Sequence, residues 1–396
     1  MRRLLFYVVN KIIIFVLMNS KTNILYKTTE GKTITWFESS NKYLILENTT
    51  ADILKSLNKG ISVNEIAEDL SKNLSVPLDT TIDFIKDLEK RIYGAKEQLE
   101  TEEIIDYKDI QIPKSFEFIK YYKVNNVVFK ISYLSEKELS LVHPKFAHLV
   151  NENLASFDYE FDVFIKNNAI FLFVDKKQIG AWDNKNIHYF QGKFSMEFIQ
   201  KIHQKEENEW MGVFHASAVS NEKKSILFLG DSGNGKSTSL ALLQANGFTC
   251  LADDFVPIDS EKREVYSFPA SISIKKSSLE TLLPIYPELE TTAEYNFTRL
   301  NKIVRYLKPN NNNYFSHLPC NDLVFIKYVK DSDLNCKKIA KIDAFQQLIP
   351  DSWLSPKKEN AQIFLDWFDS LNCYQLTYSK NEEMLKTVSK IFDNDL

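Results

Sequence analysis

Residues Gly230, Asp231, Ser232, Gly233, Asn234, Gly235, Lys236, Ser237 and Thr238 are consecutive and hold three of the ten glycines in the chain. Their order is G-x-x-x-x-G-K-[ST], the pattern of a loop that wraps a phosphate. Glycines let successive amide N–H groups curl toward an anion, and a helix beginning at the loop adds the positive end of its dipole. In that chemistry the Lys236 ammonium reaches the terminal phosphates of ATP, and the Ser237 hydroxyl serves Mg²⁺. Two further groups lie at suggestive distances along the chain. His215 precedes the loop by fifteen residues, and the carboxylate pair Asp253-Asp254 follows Lys236 by seventeen and eighteen. Adjacent carboxylates allow one to serve a metal while the other accepts a proton from an attacking hydroxyl. Spacing does not say which aspartate has which duty, with a slight lean to Asp253 as base and Asp254 as metal partner.

These residues need elements to hold them, and the flanking sequence supplies the pattern. Ser225–Leu229 is an apolar run that reads as a buried strand entering the loop. Thr238–Asn246 reads as the helix leaving it, stopped by Gly247. Met211–Val219 reads as one strand with His215 at its middle, and Phe248–Asp254 as a strand ending on the two carboxylates. Downstream, Leu323–Tyr328 and Tyr374–Tyr378 read as strands, Lys358–Leu371 as an amphipathic helix, and a last helix reaches Phe392. The predicted class is α/β.

The whole chain has 396 residues, 44% apolar and 26% charged, which calls for two or three globular domains. A net charge of −4 offers no basic excess for a nucleic-acid partner. Four scattered cysteines, with no C-x-x-C pair, argue against structural zinc or a disulfide framework and for the cytoplasm. Residues 1–19 stand apart: Arg2-Arg3 and a mostly apolar run to Met18, broken by Asn10-Lys11. Three readings stay open for them: an upstream extension with translation starting at Met18, a membrane anchor, or a packed terminal helix.

Residues 20–95 form a separate module in the sequence. Lys32–Phe37 and Tyr43–Leu46 suggest a hairpin. Asn48–Leu57 reads as a capped helix stopping at Lys59-Gly60, and Ser62 with Glu65 as a capping box opening a second helix through Leu70. A third helix runs from Leu78 to about Ile92, with Ile82, Ile85, Leu88 and Ile92 on one face and Gly94 as its stop. The predicted module is small and winged-helix-like. Between residues 41 and 94 it carries nine acidic and seven basic side chains, a net −2 that suits a nucleic-acid phosphate poorly. The run Ile45–Ile92 resembles the PqqD family of peptide-recognition domains. That resemblance implies a grip on a peptide or small-protein substrate, and strand addition at a sheet edge is a physical route to it.

Residues 96–115 read as an acidic linker. The 116–210 segment reads as β-rich, with strands at Asn126–Ser132, Phe161–Ile165 and Ala169–Val174, a helix from Ser195 to Glu209, and no catalytic cluster. His143, His148, His188 and His203 show no metal-ligand spacing.

The 211–396 segment, through His215, GDSGNGKS and the Leu251-Ala-Asp-Asp254 run, resembles the HPr kinase/phosphorylase family, whose common loop is GDSGIGKS. The resemblance implies a mixed-sheet P-loop domain of the HPr-kinase and phosphoenolpyruvate-carboxykinase kind. It further implies that Lys236 contacts nucleotide phosphates, Ser237 contacts Mg²⁺, and His215, Asp253 and Asp254 handle metal and proton. The family's downstream acidic and arginine signature is not recognisable. Glu280, Arg299 and Arg305 are placed only by position, and Arg305, ahead of the polar run Asn310–Asn313, is the one expected to swing over the site.

The expected activity is ATP-dependent phosphoryl transfer to a hydroxyl, most simply serine, of a peptide or small protein. Rival readings are a non-catalytic nucleotide-binding module that captures peptides, a carboxykinase-like small-molecule enzyme, and a DNA-binding regulator, the last disfavoured by the charge count. Nothing in the sequence opposes a homo-oligomer.

Overall fold

The computed structural model describes residues 23–97, 110–154, 156–297 and 302–396. The readings made for residues 1–19, for most of the 96–115 linker and for Arg299 lie outside them. The described residues fall into two compact units, one within Met1–Glu100 and Pro356–Gln362, the other within Thr101–Ser355 and Ile363–Leu396. The class is α/β with mixed-orientation sheets.

In the smaller unit an antiparallel sheet of β1 (Ile24–Thr29), β2 (Lys32–Phe37) and β3 (Lys42–Glu47) precedes three helices. These are α1 (Asn48–Asn58), α2 (Val63–Leu74) and α3 (Leu78–Glu97). The sheet has one more strand than the sequence pattern suggested. Ser62 caps α2 by accepting from the Glu65 amide at 3.3 Å. Asn48 does not cap α1; its side-chain oxygen accepts instead from the Thr33 hydroxyl at 2.9 Å. Gly94 does not stop α3, which continues to Glu97. The predicted apolar face does close the core, where Ile85 packs with Ile53 and Ile66, and Ile92 with Phe37 and Leu54.

The larger unit opens with a five-stranded sheet in sequential order: β4 (Phe118–Val124), β5 (Val127–Tyr133), β6 (Tyr159–Lys166), β7 (Ala169–Val174) and β8 (Lys177–Asp183). Helix α4 (Glu136–Phe146) links β5 to its parallel neighbour β6, and α5 (Ile187–His203) follows β8. Phe129, Phe146, Phe161, Phe194 and Phe198 interlock between sheet and helices at ring separations such as 4.2 Å for Phe129–Phe198. Helix α5 starts and ends earlier than the sequence suggested. Gln204 turns left-handed at φ 53° and closes it, and Glu206–Glu209 forms its own short turn.

Most of the remaining strands form one ten-stranded sheet. They are β9 (Trp210–Phe214), β10 (Ser217–Ser220), β11 (Ser225–Leu229), β12 (Thr249–Asp253), β13 (Val256–Asp259), β14 (Glu264–Tyr266), β18 (His317–Tyr328), β19 (Asn335–Lys338), β20 (Ser352–Leu354) and β21 (Asn372–Tyr378). The order along the main path is β12-β10-β11-β18-β14-β13-β9-β20, with β21 parallel to β18 and β19 on β21. A small antiparallel sheet, β15 (Ile272–Lys275), β17 (Lys302–Leu307) and β16 (Tyr295–Phe297), sits beside it. Helix α6 (Lys236–Ala245) follows β11, α7 (Lys341–Leu348) follows β19, α8 (Lys358–Ser370) follows β20, and α9 (Asn381–Asp393) follows β21. The core under α6 joins Ile226 and Phe228 of β11 to Leu240 and Leu243 of the helix, Val324 and Ile326 of β18, Leu376 of β21, and Met384 and Val388 of α9. Strand β11 is buried along its whole length between β10 and the parallel β18. That explains its unbroken apolar run, since a strand covered on both faces has no polar side to show.

Candidate functional site

Strand β11 delivers the chain to Gly230 and α6 starts at Lys236, so the strand–loop–helix reading is what the fold contains. The three glycines occupy left-handed φ values of 129°, 104° and 97° at Gly230, Gly233 and Gly235. A Cβ on Gly230 would stand 2.9 Å from the Ile326 carbonyl oxygen, and one on Gly235 would stand 3.2 Å from the Tyr378 hydroxyl. Neighbouring strands clamp the loop: the Tyr328 amide donates to the Asn234 carbonyl at 3.0 Å, and the Ser239 and Tyr378 hydroxyls share a bond of 2.8 Å. Gly230→Ala therefore combines φ strain with a backbone collision. The expected loss is about 1–3 kcal/mol from φ alone, visible as a lowered melting temperature.

Lys236 is buried, and its ammonium donates to the carbonyl of Gly230, across the mouth of its own loop. Ser237, in the first turn of α6, donates its hydroxyl to the Asp253 carboxylate at 3.0–3.1 Å. Asp253 ends β12 opposite Ser217 of β10. Its two oxygens also accept from the Ser217 hydroxyl at 2.6 Å and the Ser273 amide at 3.0 Å. With only 2% of its surface exposed, the carboxyl is pushed up to about 6, first by burial and then by the neighbouring Asp254 charge, against three hydrogen bonds that pull the other way.

The predicted strand through His215 is in fact two. β9 pairs with β13 and β20, β10 pairs with β11 and β12, and His215 stands at the break between them. Its amide donates to the Asp351 carbonyl at 2.9 Å, which leaves the side chain half exposed. Nδ1 donates to the Asp254 carbonyl oxygen at 3.3 Å and lies 3.9 Å from that residue's carboxylate. A carbonyl only accepts, so this contact requires the proton on Nδ1. Asp254 itself is held at φ 64°, a left-handed conformation that asparagine and aspartate tolerate best and that clusters at functional sites.

His215, Asp231, Gly235, Lys236, Ser237 and Asp254 line one cavity of about 680 Å³, which Ser232, Gly233 and Thr238 also border. Gly230 and Asn234 shape the loop from behind. The two aspartates are placed differently: Asp253 is the buried partner of Ser237, whereas Asp254 lines the cavity beside His215.

Arg305 does not join the site. It lies on β17, and its guanidinium donates to the carbonyls of Leu289 and Glu290 and pairs with the Glu294 carboxylate at 3.6 Å. Nor is Asn310–Asn313 a swinging loop. Asn310 brackets β12 through the Cys250 amide at 3.0 Å and the Phe248 carbonyl at 2.8 Å, and the buried Asn311 donates to the Ser267 hydroxyl at 2.7 Å. Glu280 is exposed and lies off the cavity wall. The cavity wall includes two residues that sequence reasoning passed over, Lys275 at the end of β15 and Lys276 just after it. Their only sequence signal is the pair of lysines closing the alternating run Ile272-Ser-Ile274.

Of the histidines of the 116–210 segment, His188 is exposed, and two others sit in packed surroundings off the cavity wall. His148 is pushed down to about 4 by burial and by Lys308, with Nδ1 on the Ser271 hydroxyl. His203 is likewise lowered to about 4, chiefly by burial, among Trp210 and Tyr266. Among the described residues no group of three or more His, Cys, Asp or Glu side chains could hold a metal ion by itself. Among the described residues none of the four cysteines forms a disulfide, and no helix is long and apolar enough to cross a membrane.

No protein-family model matches the sequence, and no curated protein matches it. Among solved structures, the Hpr(Ser) kinase/phosphatase from Coxiella burnetii is similar at 11% identity and a TM-score of 0.20, over 46% of this chain and 98% of that one. Similarity at that level leaves the functional reading to the geometry of the site.

Proposed function

We propose that the protein is an ATP-dependent kinase that transfers a phosphoryl group to a hydroxyl, most simply a serine, of a peptide or small protein. The observation that carries this is the convergence of the glycine loop, Lys236, Ser237, His215 and Asp254 on one cavity, with Asp253 fixed behind Ser237.

The residues suit Mg²⁺. The Ser237 hydroxyl and Asp253 carboxylate are hard oxygen donors, and too few protein ligands for a closed cage is the expected state for an ion that shares its shell with phosphates. Bound there by Ser237 and Asp253, Mg²⁺ would neutralise charge on the phosphate oxygens. The chain's own groups do the rest. Backbone N–H groups of the loop and the first turn of α6 donate to the phosphates, because the first four amides of a helix have no partner within it. The Lys236 ammonium exchanges the Gly230 carbonyl for a charged phosphate oxygen, a stronger acceptor. Asp254 takes the proton of the acceptor hydroxyl as its oxygen bonds to phosphorus and the bond to the departing ADP breaks. His215 positions Asp254 through its carbonyl.

The smaller unit is read as the peptide grip. Among the described residues β1 and β3 each pair on one side only, which leaves strand edges for an extended peptide. ATP as the phosphoryl donor is what supports reading the reaction as cytoplasmic. A second reading, a nucleotide-binding module that captures peptides without chemistry, is favoured by Arg305, the expected phosphate arginine, being turned away.

Mass spectrometry of peptides incubated with the protein and Mg·ATP separates the two: gain of one phosphoryl group on a serine supports the kinase, and bound nucleotide with unmodified peptide supports the module. Removal of residues 20–95 should raise KM for a leader-bearing peptide roughly tenfold through lost effective concentration, with basal ATP turnover kept. An unchanged KM would refute the grip.

A further inference from the structure

The four residues that follow Ile274, Lys275-Lys276-Ser277-Ser278, all line the phosphate cavity. Lys275 donates to the Ser232 hydroxyl at 2.9 Å, and its ammonium lies 4.0 Å from where a Cβ on Gly233 would stand. It therefore sits directly over the crown of the glycine loop. Three residues on, the Ser278 and Thr238 hydroxyls share a bond of 2.8 Å. The segment is fastened to the loop at one end and to the first turn of α6 at the other. The strand that carries it is fixed too, since the Ser273 amide donates to Asp253. One short strand thus sets both the carboxylate behind Ser237 and an ammonium across the cavity from it.

A triphosphate brings several negative charges into this space. Lys236 supplies one buried cation, and Arg305 is engaged elsewhere. The Ser232 hydroxyl is a neutral acceptor, and a phosphate oxygen in its place would give Lys275 a charge-assisted bond of about twice the strength. One partner of each lysine, the Gly230 carbonyl for Lys236 and the Ser232 hydroxyl for Lys275, lies in the first half of the loop. Lys236 and Lys275 both line this cavity, and a P-loop lysine reaches the β and γ phosphates.

We infer that Lys275 is a second phosphate-binding lysine that engages the terminal phosphate and makes the site prefer a triphosphate to a diphosphate. This rests on the nucleotide reading above. The step is an exchange of hydrogen-bond partners, with no covalent change.

The test is titration of the full chain, with Mg²⁺, against fluorescent ATP and ADP analogues. Lys275→Met should weaken the triphosphate about tenfold or more and the diphosphate by less than about threefold. Lys275→Arg should restore most of the loss. Equal losses for both nucleotides in Lys275→Met, or no loss for the triphosphate, would each overturn the inference and leave Lys275 as a brace for the loop. Wild-type protein that binds neither analogue would overturn the nucleotide reading itself, a result distinct from any of these.

Discussion

Lys236→Ala should weaken ATP binding by roughly ten- to a hundredfold and remove measurable phosphoryl transfer, while the protein stays folded. The binding term is one hydrogen bond to a charged partner, about 1.5–3 kcal/mol. Transfer suffers more, because charge grows on the transferred phosphoryl and its leaving oxygen as the bond breaks, and a fixed ammonium acts most strongly there. Stability should change little for a specific reason. Lys236 is 7% exposed and its one polar contact shown is to the Gly230 carbonyl in its own loop, so its removal breaks no tie between elements. The loop is kept in place by the Tyr328–Asn234 and Ser239–Tyr378 bonds, neither of which involves the lysine side chain. Calorimetric titration with ATP and a thermal melt of the same variant check both halves. Undiminished affinity would show that the cavity does not hold phosphate in this orientation. A collapsed melt would mean that the lysine is a structural cation and that lost activity says nothing about chemistry.

The parts of this site that could be read from sequence are those whose physics is local. Left-handed φ at Gly230, Gly233 and Gly235 has to be carried by glycine or strained, and the buried strand before them has to be apolar, so motif and flanks reveal themselves. The apolar face of α3 was equally plain. What failed depended on partners distant in the chain. The stretch from Met211 to Val219 is apolar throughout and gives no hint that it changes neighbours at His215, because both strands are buried. Arg305 precedes a polar run, and only its register opposite Ile274 on β15, with the Leu289–Glu290 turn within reach, decides where its guanidinium goes. The same register puts Lys275 over the glycine loop, and two lysines after a strand carry no signature of that in the sequence. Asp253 and Asp254 are chemically identical and adjacent. Only pairing with Ser217 turns one inward and leaves the other at the cavity.

Asp253→Asn should do two opposite things: slow phosphoryl transfer roughly a hundredfold or more, and make the nucleotide-free protein more stable at neutral pH. The first follows from removing the anionic oxygen beside Ser237. The second follows from the carboxyl's raised pKa, about 6 against an ordinary value of 3.8, caused first by burial and then by Asp254. A carboxyl whose folded pKa is raised takes a proton more readily in the folded state. Below about pH 4 both states are protonated and there is no penalty. Stability then falls as pH rises toward about 6, and above that the full cost of the buried charge remains, on the order of 1–3 kcal/mol. Asparagine imitates the protonated form. Its amide oxygen still accepts from the Ser273 amide, and its NH₂ group donates to the Ser217 and Ser237 hydroxyls, which can reverse their roles. Melts of wild type and Asp253→Asn at pH 5 and pH 7.5, without nucleotide or Mg²⁺, report this group together with its effect on Asp254, while carboxylates away from the pair titrate alike in both proteins. The variant should melt a few degrees higher at pH 7.5, with the gap narrowing at pH 5. If it melts lower at pH 7.5, the buried carboxylate is satisfied by its three donors and stores no strain for a cation to relieve. In that case Ser237 and Asp253 form a brace for α6, and the metal would have to be sought at Asp254.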